Sequence, residues 1–129
     1  MKILLDTHIW LWMINEPDRI AANLRRELRN SVDELWLSPI STWEVLVLAR
    51  KRRIRLDREV GDWVKTATAP FREASLTHEI MLTADQLPLP QRDPADRFLA
   101  ATAKVLGLTL ATADSKLLGL GDIATLANR

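Results

Sequence analysis

The chain has 129 residues, a length at which one domain can bury a hydrophobic core, and we expect residues 1–129 to form a single domain. It contains no cysteine, which excludes disulfide bonds, a thiolate nucleophile and a cysteine-ligated zinc site and fits the reducing cytoplasm. The 18 Lys and Arg residues nearly balance the 17 Asp and Glu residues, so net charge alone gives no argument for a polyanionic partner.

Strands alternate with helices in the first half of the chain. The apolar run from Ile3 to Ile14 is interrupted by polar residues at 6–8 and is too short to span a membrane, so we expect it to lie in the core. In chain order we predict a strand over 2–5, helices over 10–14 and from the cap Asp18 to about Asn30, a strand over 35–37, a helix from Pro39 to about Lys51 with Ser38 as its N-cap, and a helix from Asp57.

The second half continues the alternation. It predicts a weak strand over 71–76, a helix over 77–87, a proline-rich loop over 87–94, a helix from Asp93 and Pro94 to about Leu106 that Gly107 ends, a strand over 108–112, a short helix over 114–118 and a last strand over 123–126. Strands and helices at this spacing indicate an α/β fold with a mostly parallel central sheet and right-handed crossovers.

Four acidic residues are candidates for a common site. Asp6 and Asp114 follow predicted strands, and the carboxyl ends of strands in an open α/β sheet are where ligands bind. Glu44 and Asp96 share helical faces with apolar residues, where a lone charge is costly to bury. If the four side chains converge, a divalent cation could neutralise all of them.

Helix capping is the competing interpretation for each acid taken alone. Asp6, Asp93 and Asp114 are plausible N-caps, and Asp93 and Asp96 have the spacing of a capping-box exchange. The segment 41–44 also spells Ser-x-x-Glu, although Ser38 followed by proline is the better helix start and leaves Glu44 in the second turn.

Two other features are compatible with binding a nucleic acid or a protein partner but do not establish it. The basic clusters at 50–55 and 25–29 would suit a nucleic-acid backbone, but solvated helix ends are the simpler interpretation. The five tryptophans are expected to pack in the core, except that Trp10 and Trp12 cannot share one helical face, so one of them is expected to face a partner. His8 lies near the start of the first helix, where a contact with a substrate is an alternative to the structural role that we expect for it.

Four segments follow one another along the chain: Leu4-Leu5-Asp6-Thr7-His8 with Trp10 and Trp12, the segment 38–47 with Ser41-Thr42-Trp43-Glu44, the segment 92–101 with Asp93-Pro94-Ala95-Asp96, and the segment 109–114 that ends in Asp114. Taken in this order, they resemble the motifs of PIN-domain ribonucleases, and more narrowly of the VapC toxins of bacterial type II toxin–antitoxin systems. The resemblance covers essentially the whole chain.

The resemblance implies a PIN-like three-layer α/β/α sandwich and hydrolysis of RNA phosphodiester bonds. It implies that Asp6, Glu44, Asp96 and Asp114 bind Mg²⁺ or Mn²⁺, with Asp6 and Asp96 as direct ligands, and that Thr7, Ser41, Thr112 and Ser115 orient them. The implied partners are the RNA substrate, a VapB-like antitoxin that covers the site, and a second copy of the chain in a homodimer.

Three alternatives belong to other classes. A non-catalytic PIN module that binds RNA or an antitoxin would keep the fold, but the presence of all four acids argues against it. A haloacid-dehalogenase-like phosphatase needs a second Asp where His8 stands. A P-loop NTPase needs a Gly-rich loop followed by Lys, and the chain has four glycines in total and no such loop.

Overall fold

Parallel strands and the helices that connect them make up most of a computed structural model, which describes residues 1–89 and 93–129. Its strands are β1 (Ile3–Leu5), β2 (Leu35–Leu37), β3 (Arg72–Glu73), β4 (Thr109–Thr112) and β5 (Ala124–Ala127). Its α-helices are α1 (Thr7–Asn15), α2 (Ala22–Asn30), α3 (Pro39–Arg50), α4 (Val60–Thr68), α5 (His78–Gln86), α6 (Pro94–Leu106) and α7 (Ser115–Leu118). Short 3-10 helices span Pro17–Arg19 and Val32–Glu34.

The strands form one sheet in the order β3-β2-β1-β4-β5, and every pair in it is parallel. Strand β1 lies in the middle, with Ile3 opposite Leu35 of β2 on one side and Thr109 of β4 on the other. The predicted parallel sheet is therefore confirmed. Because the strands are parallel, the residues that follow β1 and β4 emerge side by side at the same edge.

Two hydrophobic cores cover the two faces of the sheet. Alternation along β1 sends Ile3 and Leu5 into one core and Leu4 into the other, and all three are fully buried. Helices α1, α2 and α4 pack on the first face, whereas α5, α6 and α7 pack on the second. The chain is thus a three-layer α/β/α sandwich, as predicted.

Two predicted helix starts are wrong. Asp18 does not cap α2, because Pro17 opens a separate 3-10 helix, and α2 begins after Ala21 without a side-chain cap. Asp57 does not begin α4, because its carboxylate pairs with Arg58 at 3.0 Å. The cap of α4 is Glu59, which accepts hydrogen bonds from the backbone N–H groups of Gly61 and Asp62.

Most other elements lie close to their predicted bounds, although β3 spans only Arg72–Glu73 of the weak strand predicted over 71–76. Helix α1 begins three residues earlier than predicted, directly after Asp6, and β5 is displaced by one residue. Ser38 caps α3, and Gly107 ends α6 with a left-handed φ of 66°. Part of the loop predicted over 87–94, at 90–92, lies outside the described residues. Among the residues described, no helix combines the length and apolar character that crossing a bilayer requires.

The tryptophans divide between core and surface. Trp10 and Trp63 are buried, with ring centroids 5.5 Å apart. Trp12, one turn from His8 on α1, is partly buried, and the guanidinium of Arg19 lies 4.3 Å from its ring centroid. The expectation that the tryptophans other than one of Trp10 and Trp12 pack in the core is wrong for Trp43, which is 52% exposed on α3.

Candidate active site

An acidic cleft of about 250 Å³ opens at the carboxyl edge of the sheet. Asp6 reaches it from the end of β1, Asp114 from the end of β4, Glu44 from α3 and Asp96 from α6. The other lining residues are His8, Trp12, Asp93 and Ala113. The four acids singled out in the sequence are thus brought to one cleft, and none of them faces away from it.

Asp6 is held by a hydrogen bond instead of serving as a helix cap. It occupies the N-cap position of α1 but accepts no side-chain capping bond from that helix. Its Oδ2 accepts a 2.6 Å hydrogen bond from the hydroxyl of Thr112, whose oxygen in turn accepts the backbone N–H of Asp114 at 3.0 Å. The capping interpretation of Asp6 is therefore wrong, and its carboxylate, only 7% exposed, is tied to the end of β4.

Glu44 is held by two hydroxyl groups. The hydroxyl of Thr7 bonds to Oε1 of Glu44 and lies 2.8 Å from the hydroxyl of Ser41. Because a hydroxyl has one proton, Ser41 donates to Thr7 whenever Thr7 donates to the carboxylate. The capping-box interpretation of Ser41 and Glu44 is also wrong, since Ser38 caps this helix by accepting the N–H of Ile40 at 3.1 Å.

The remaining acids combine capping with a place in the cleft. Asp93 accepts the backbone N–H of Asp96 at 3.3 Å at the start of α6, and Asp114 accepts the N–H of Lys116 at 2.8 Å at the start of α7. Asp93 was predicted only as a cap, yet it also lines the cleft. The sequence could have indicated that Asp93 lines the cleft, because Asp93 lies three residues before Asp96 and therefore on the same helical face.

Burial and mutual repulsion make three carboxyl groups of the cleft, those of Asp6, Glu44 and Asp96, hard to ionise. Burial is the main cause that raises the pKa of Asp6, against the hydrogen bond from Thr112, and that of Glu44, against the bond from Thr7. For Asp96, burial together with the charge of Asp93 raises the pKa from 3.8 to about 8. The cleft therefore favours protonation of Asp96 near neutral pH, and a cation in it would favour ionisation instead.

A buried arginine that sequence reasoning missed stands beside the site without entering it. The guanidinium of Arg97 donates to the backbone oxygens of Ala84 at 2.7 Å, Leu87 at 3.0 Å and Leu89. It thereby satisfies carbonyl groups at the carboxyl end of α5 and in the loop that follows. Its position one residue after Asp96, in a helix whose next turn is almost entirely apolar, was the only signal in the sequence.

In the part of the chain that the structure describes, no salt bridge offsets the charge of the cleft acids. Across residues 1–89 and 93–129, none of the salt bridges involves Asp6, Glu44, Asp93, Asp96 or Asp114. Over the same residues, no three acidic or histidine side chains are already arranged as a ligand set that could enclose a metal ion. The site is thus an acidic cleft with hydrogen-bonded walls, not a preformed cage.

Comparison with known families identifies the family to which this fold belongs. Residues 3–122 match the PIN domain family. The chain belongs to the PIN-domain family. This PIN domain is 34% identical over 116 residues to ribonuclease VapC22 of Mycobacterium tuberculosis, a match that covers 89% of this chain and 88% of that protein.

Solved structures give the same fold. VapBC2 of Rickettsia felis, bound to a DNA fragment from its promoter, matches with a TM-score of 0.72 and 12% identity over 98% of both chains. DNA-bound VapBC of Salmonella typhimurium matches with a TM-score of 0.73 and 16% identity over 100% of this chain and 99% of that one. At such identities the likeness supports the three-layer fold of this PIN domain and nothing finer.

Proposed function

We propose that this chain is a metal-dependent endoribonuclease and the toxin of a toxin–antitoxin pair, acting in the cytoplasm to inhibit translation or growth. In this proposal residues 1–129 form one nuclease domain. The observation that carries it is the cleft shared by Asp6, Glu44, Asp96 and Asp114 in a PIN domain. The 34% identity to ribonuclease VapC22 supports RNA as the substrate class.

The residues of the cleft fit Mg²⁺ or Mn²⁺. Carboxylate oxygens are the hard ligands that these ions prefer, and a bound cation would offset the burial and the charge of Asp93 that raise the pKa of Asp96 to about 8. A three-carboxylate cage is not required, because Mg²⁺ keeps several waters and is commonly bound through one or two carboxylates. We propose Asp6 and Asp96 as direct ligands, with Glu44 and Asp114 acting through water or at a second ion.

The protein's own side chains prepare the cleft for a phosphodiester. When bound, the divalent cation would offset the repulsion between carboxylates and phosphate and supply a more acidic water as nucleophile. Thr112 fixes one oxygen of Asp6, and the pair Ser41 and Thr7 fixes one oxygen of Glu44, so each carboxylate keeps its second oxygen free of these bonds. By fixing the orientation of the two carboxylates, these hydroxyl groups would raise the rate of hydrolysis.

The partners are proposed on the same basis. The solved neighbours from Rickettsia felis and Salmonella typhimurium are VapBC complexes, which supports a VapB-like antitoxin as the inhibitor of this chain. We also propose a homodimer. An antitoxin that carries a basic side chain would complement the acidic cleft, which has no protein cation paired with it among the described residues.

A circular single-stranded RNA tests the endonuclease proposal directly, because an exonuclease cannot act on it. We expect the purified chain to linearise it in Mg²⁺ or Mn²⁺ and not in chelator. Asp96→Asn should abolish cleavage, whereas Asp85→Asn, an exposed acid on α5 outside the cleft, should leave it unchanged. Cleavage that persists in chelator or in Asp96→Asn would rule out the metal-nuclease mechanism.

A growth assay separates toxin from housekeeping nuclease. Induced expression in a bacterial host should arrest growth for the wild type and for Asp85→Asn, and not for Asp96→Asn. A chain that cleaves RNA in vitro but leaves growth unaffected at comparable expression would contradict the toxin assignment while keeping the nuclease one.

A further inference from the structure

The segment from Arg50 to Glu59 concentrates positive charge in an otherwise acidic chain. It holds six basic residues against two acids, a net charge of +4 in a chain whose total is +1. The other residues therefore sum to −3. A cationic segment of this density attracts a polyanion even though overall charge is nearly balanced.

Most of these cations form no ion pair in the part of the protein that the structure describes. Across the described residues, the side chains of Arg50, Lys51, Arg52, Arg53 and Arg55 make no salt bridge. The two nearby acids are occupied, since Asp57 pairs with Arg58 and Glu59 caps α4. The positive charge is therefore available to an external ligand.

The backbone shapes this segment into an open pocket. We call it the arginine pocket, a concavity of about 680 Å³ lined by Ala49, Arg52, Arg53, Ile54, Arg55, Leu56, Arg58 and Val60. Arginine guanidinium groups suit phosphate oxygens because they present several donors in a fixed planar fork. An apolar floor below several such groups also accommodates the sugar and base between phosphates.

Arg52 occupies a backbone position that favours glycine. The N–H of Arg53 bonds to the carbonyl of Leu48, and that of Arg52 to the carbonyl of Ala49, both at 3.0 Å, which is the hydrogen-bond pattern of a Schellman C-cap. Within this motif Arg52 has a φ of 58°, in the left-handed region. A strained arginine where glycine would be easier points to a role for its side chain.

Helix α3 leads from the acidic cleft to the arginine pocket, because it carries Glu44 of the cleft and Ala49 of the pocket. Helix α3 contributes Glu44 to the cleft, and Arg50 follows it six residues later, about 9 Å along the helix axis. The exposed Trp43 lies one residue before Glu44 on α3, and the guanidinium of Arg50 is 5.3 Å from its ring centroid. The distance of about 9 Å between Glu44 and Arg50 corresponds to about three nucleotides of a stacked strand, at about 3.4 Å each.

We propose that the arginine pocket binds the phosphate backbone of single-stranded RNA next to the segment that enters the acidic cleft. This inference rests on the proposed ribonuclease function and names how the substrate is held. Binding by phosphate contacts is independent of base sequence and falls steeply with salt. The arginine pocket therefore sets affinity and direction of the strand, whereas the cleft carries the chemistry.

The test measures RNA affinity in an Asp96→Asn background, where binding is separated from turnover. The anisotropy of a labelled 12-nucleotide single strand is recorded at several salt concentrations. Arg53→Ala with Arg55→Ala should weaken binding about 10-fold or more and reduce the slope of log affinity against log salt by about 1.4, at about 0.7 for each lost contact. Arg26→Ala with Arg29→Ala removes the same charge from α2 and should change neither quantity.

Arg52→Gly gives a second arm that misfolding cannot imitate. Glycine relieves the left-handed strain, so the melting temperature should rise while RNA affinity falls severalfold. An unchanged RNA affinity in Arg52→Gly would overturn the inference. Equal losses of RNA affinity in the Arg53 and Arg55 double variant and in the Arg26 and Arg29 double variant would also overturn it. The inference would also fail if a hexaglutamate peptide bound through Arg53 and Arg55 and RNA did not, because the partner would then be an acidic protein segment.

The outcome also distinguishes this inference from the proposed function. If the wild type fails to cleave RNA but binds it through these arginines, the nuclease proposal fails and the arginine pocket stands as an RNA-binding surface. If the wild type cleaves RNA and the Arg53 and Arg55 variants bind and cleave as it does, the arginine pocket has no role in substrate binding.

Discussion

Oδ2 of Asp6 accepts a 2.6 Å hydrogen bond from the hydroxyl of Thr112, a residue 106 positions further along the chain. The bond joins the carboxyl ends of the neighbouring strands β1 and β4 and is buried. It opposes the rise in the pKa of Asp6 that burial causes. One side-chain contact thus links the register of the sheet to the ionisation and orientation of an acid in the cleft.

Thr112→Val should weaken both stability and activity. Valine keeps the volume but leaves Asp6 and the N–H of Asp114 without their partner, at a cost of about 1–3 kcal/mol in the free energy of unfolding. We expect RNA cleavage to fall about 10- to 100-fold, as for other residues that orient metal ligands. Thr112→Ser, which keeps the hydroxyl, should restore most of the cleavage rate, and a rate for Thr112→Val equal to the wild type would refute this role.

Thr7→Val should lower the affinity for metal through Glu44. Without the Thr7 hydroxyl, the pKa of Glu44 rises further, because the bond that opposes burial is lost. Titration calorimetry with Mn²⁺ should show about 10-fold weaker binding for Thr7→Val and near-normal binding for Thr7→Ser. If both variants bind Mn²⁺ as the wild type does, the hydroxyl pair has no part in preparing the site.

The metal-free protein should lose stability as pH rises. The folded state holds a proton on Asp96 up to about pH 8, whereas in the unfolded chain this carboxyl has its ordinary pKa of 3.8. Between these values the folded state binds more protons than the unfolded state, so the free energy of unfolding falls with increasing pH. In chelator, the melting temperature should be lower at pH 8 than at pH 5.

Two controls assign that slope to the cleft. Asp96→Asn should flatten it and leave a smaller slope of the same sign, because the pKa values of Asp6 and Glu44 are also raised. Saturating Mg²⁺ should flatten it in the wild type, since a cation favours the ionised carboxylates. A melting temperature that rises from pH 5 to pH 8 in chelator would contradict the repulsion described for Asp96.

Arg97→Met should destabilise the fold by about 3 kcal/mol or more. The change leaves the buried carbonyls of Ala84, Leu87 and Leu89 without the guanidinium that binds them. Arg97→Lys should recover only part of the loss, because an ammonium group lacks the planar fork that reaches several acceptors. Urea unfolding measures both, and a loss below about 1 kcal/mol for methionine would show that water replaces the guanidinium.

The sequence predicted those features that depend on local pattern. Apolar runs and alternation with helices gave the parallel sheet, and proline after Ser38 and glycine at 107 gave the ends of two helices. Motif order identified the family, because the acids stand at fixed places relative to the strands and helices. The same spacing brought Asp6, Glu44, Asp96 and Asp114 to one cleft.

Features that depend on long-range contacts could not be predicted in this way. Whether Asp6 caps a helix or accepts from Thr112 depends on how closely β4 lies beside β1, which no local pattern encodes. Arg97 resembles a surface cation until α5 supplies the carbonyls that bury it. One wrong prediction was local: Asp57 pairs with the adjacent Arg58, and Glu59 caps α4 instead.

The central claim is that the acidic cleft uses a divalent cation to hydrolyse RNA. The most direct measurement is the rate of RNA cleavage as a function of Mg²⁺ concentration for the wild type and for Asp6→Asn, Glu44→Gln, Asp96→Asn and Asp114→Asn. Saturable cleavage by the wild type, lost in chelator and reduced about 100-fold or more in each variant, is the predicted result. Cleavage that continues without a cation would contradict it. Cleavage at the wild-type rate in each of the four single variants would contradict it as well.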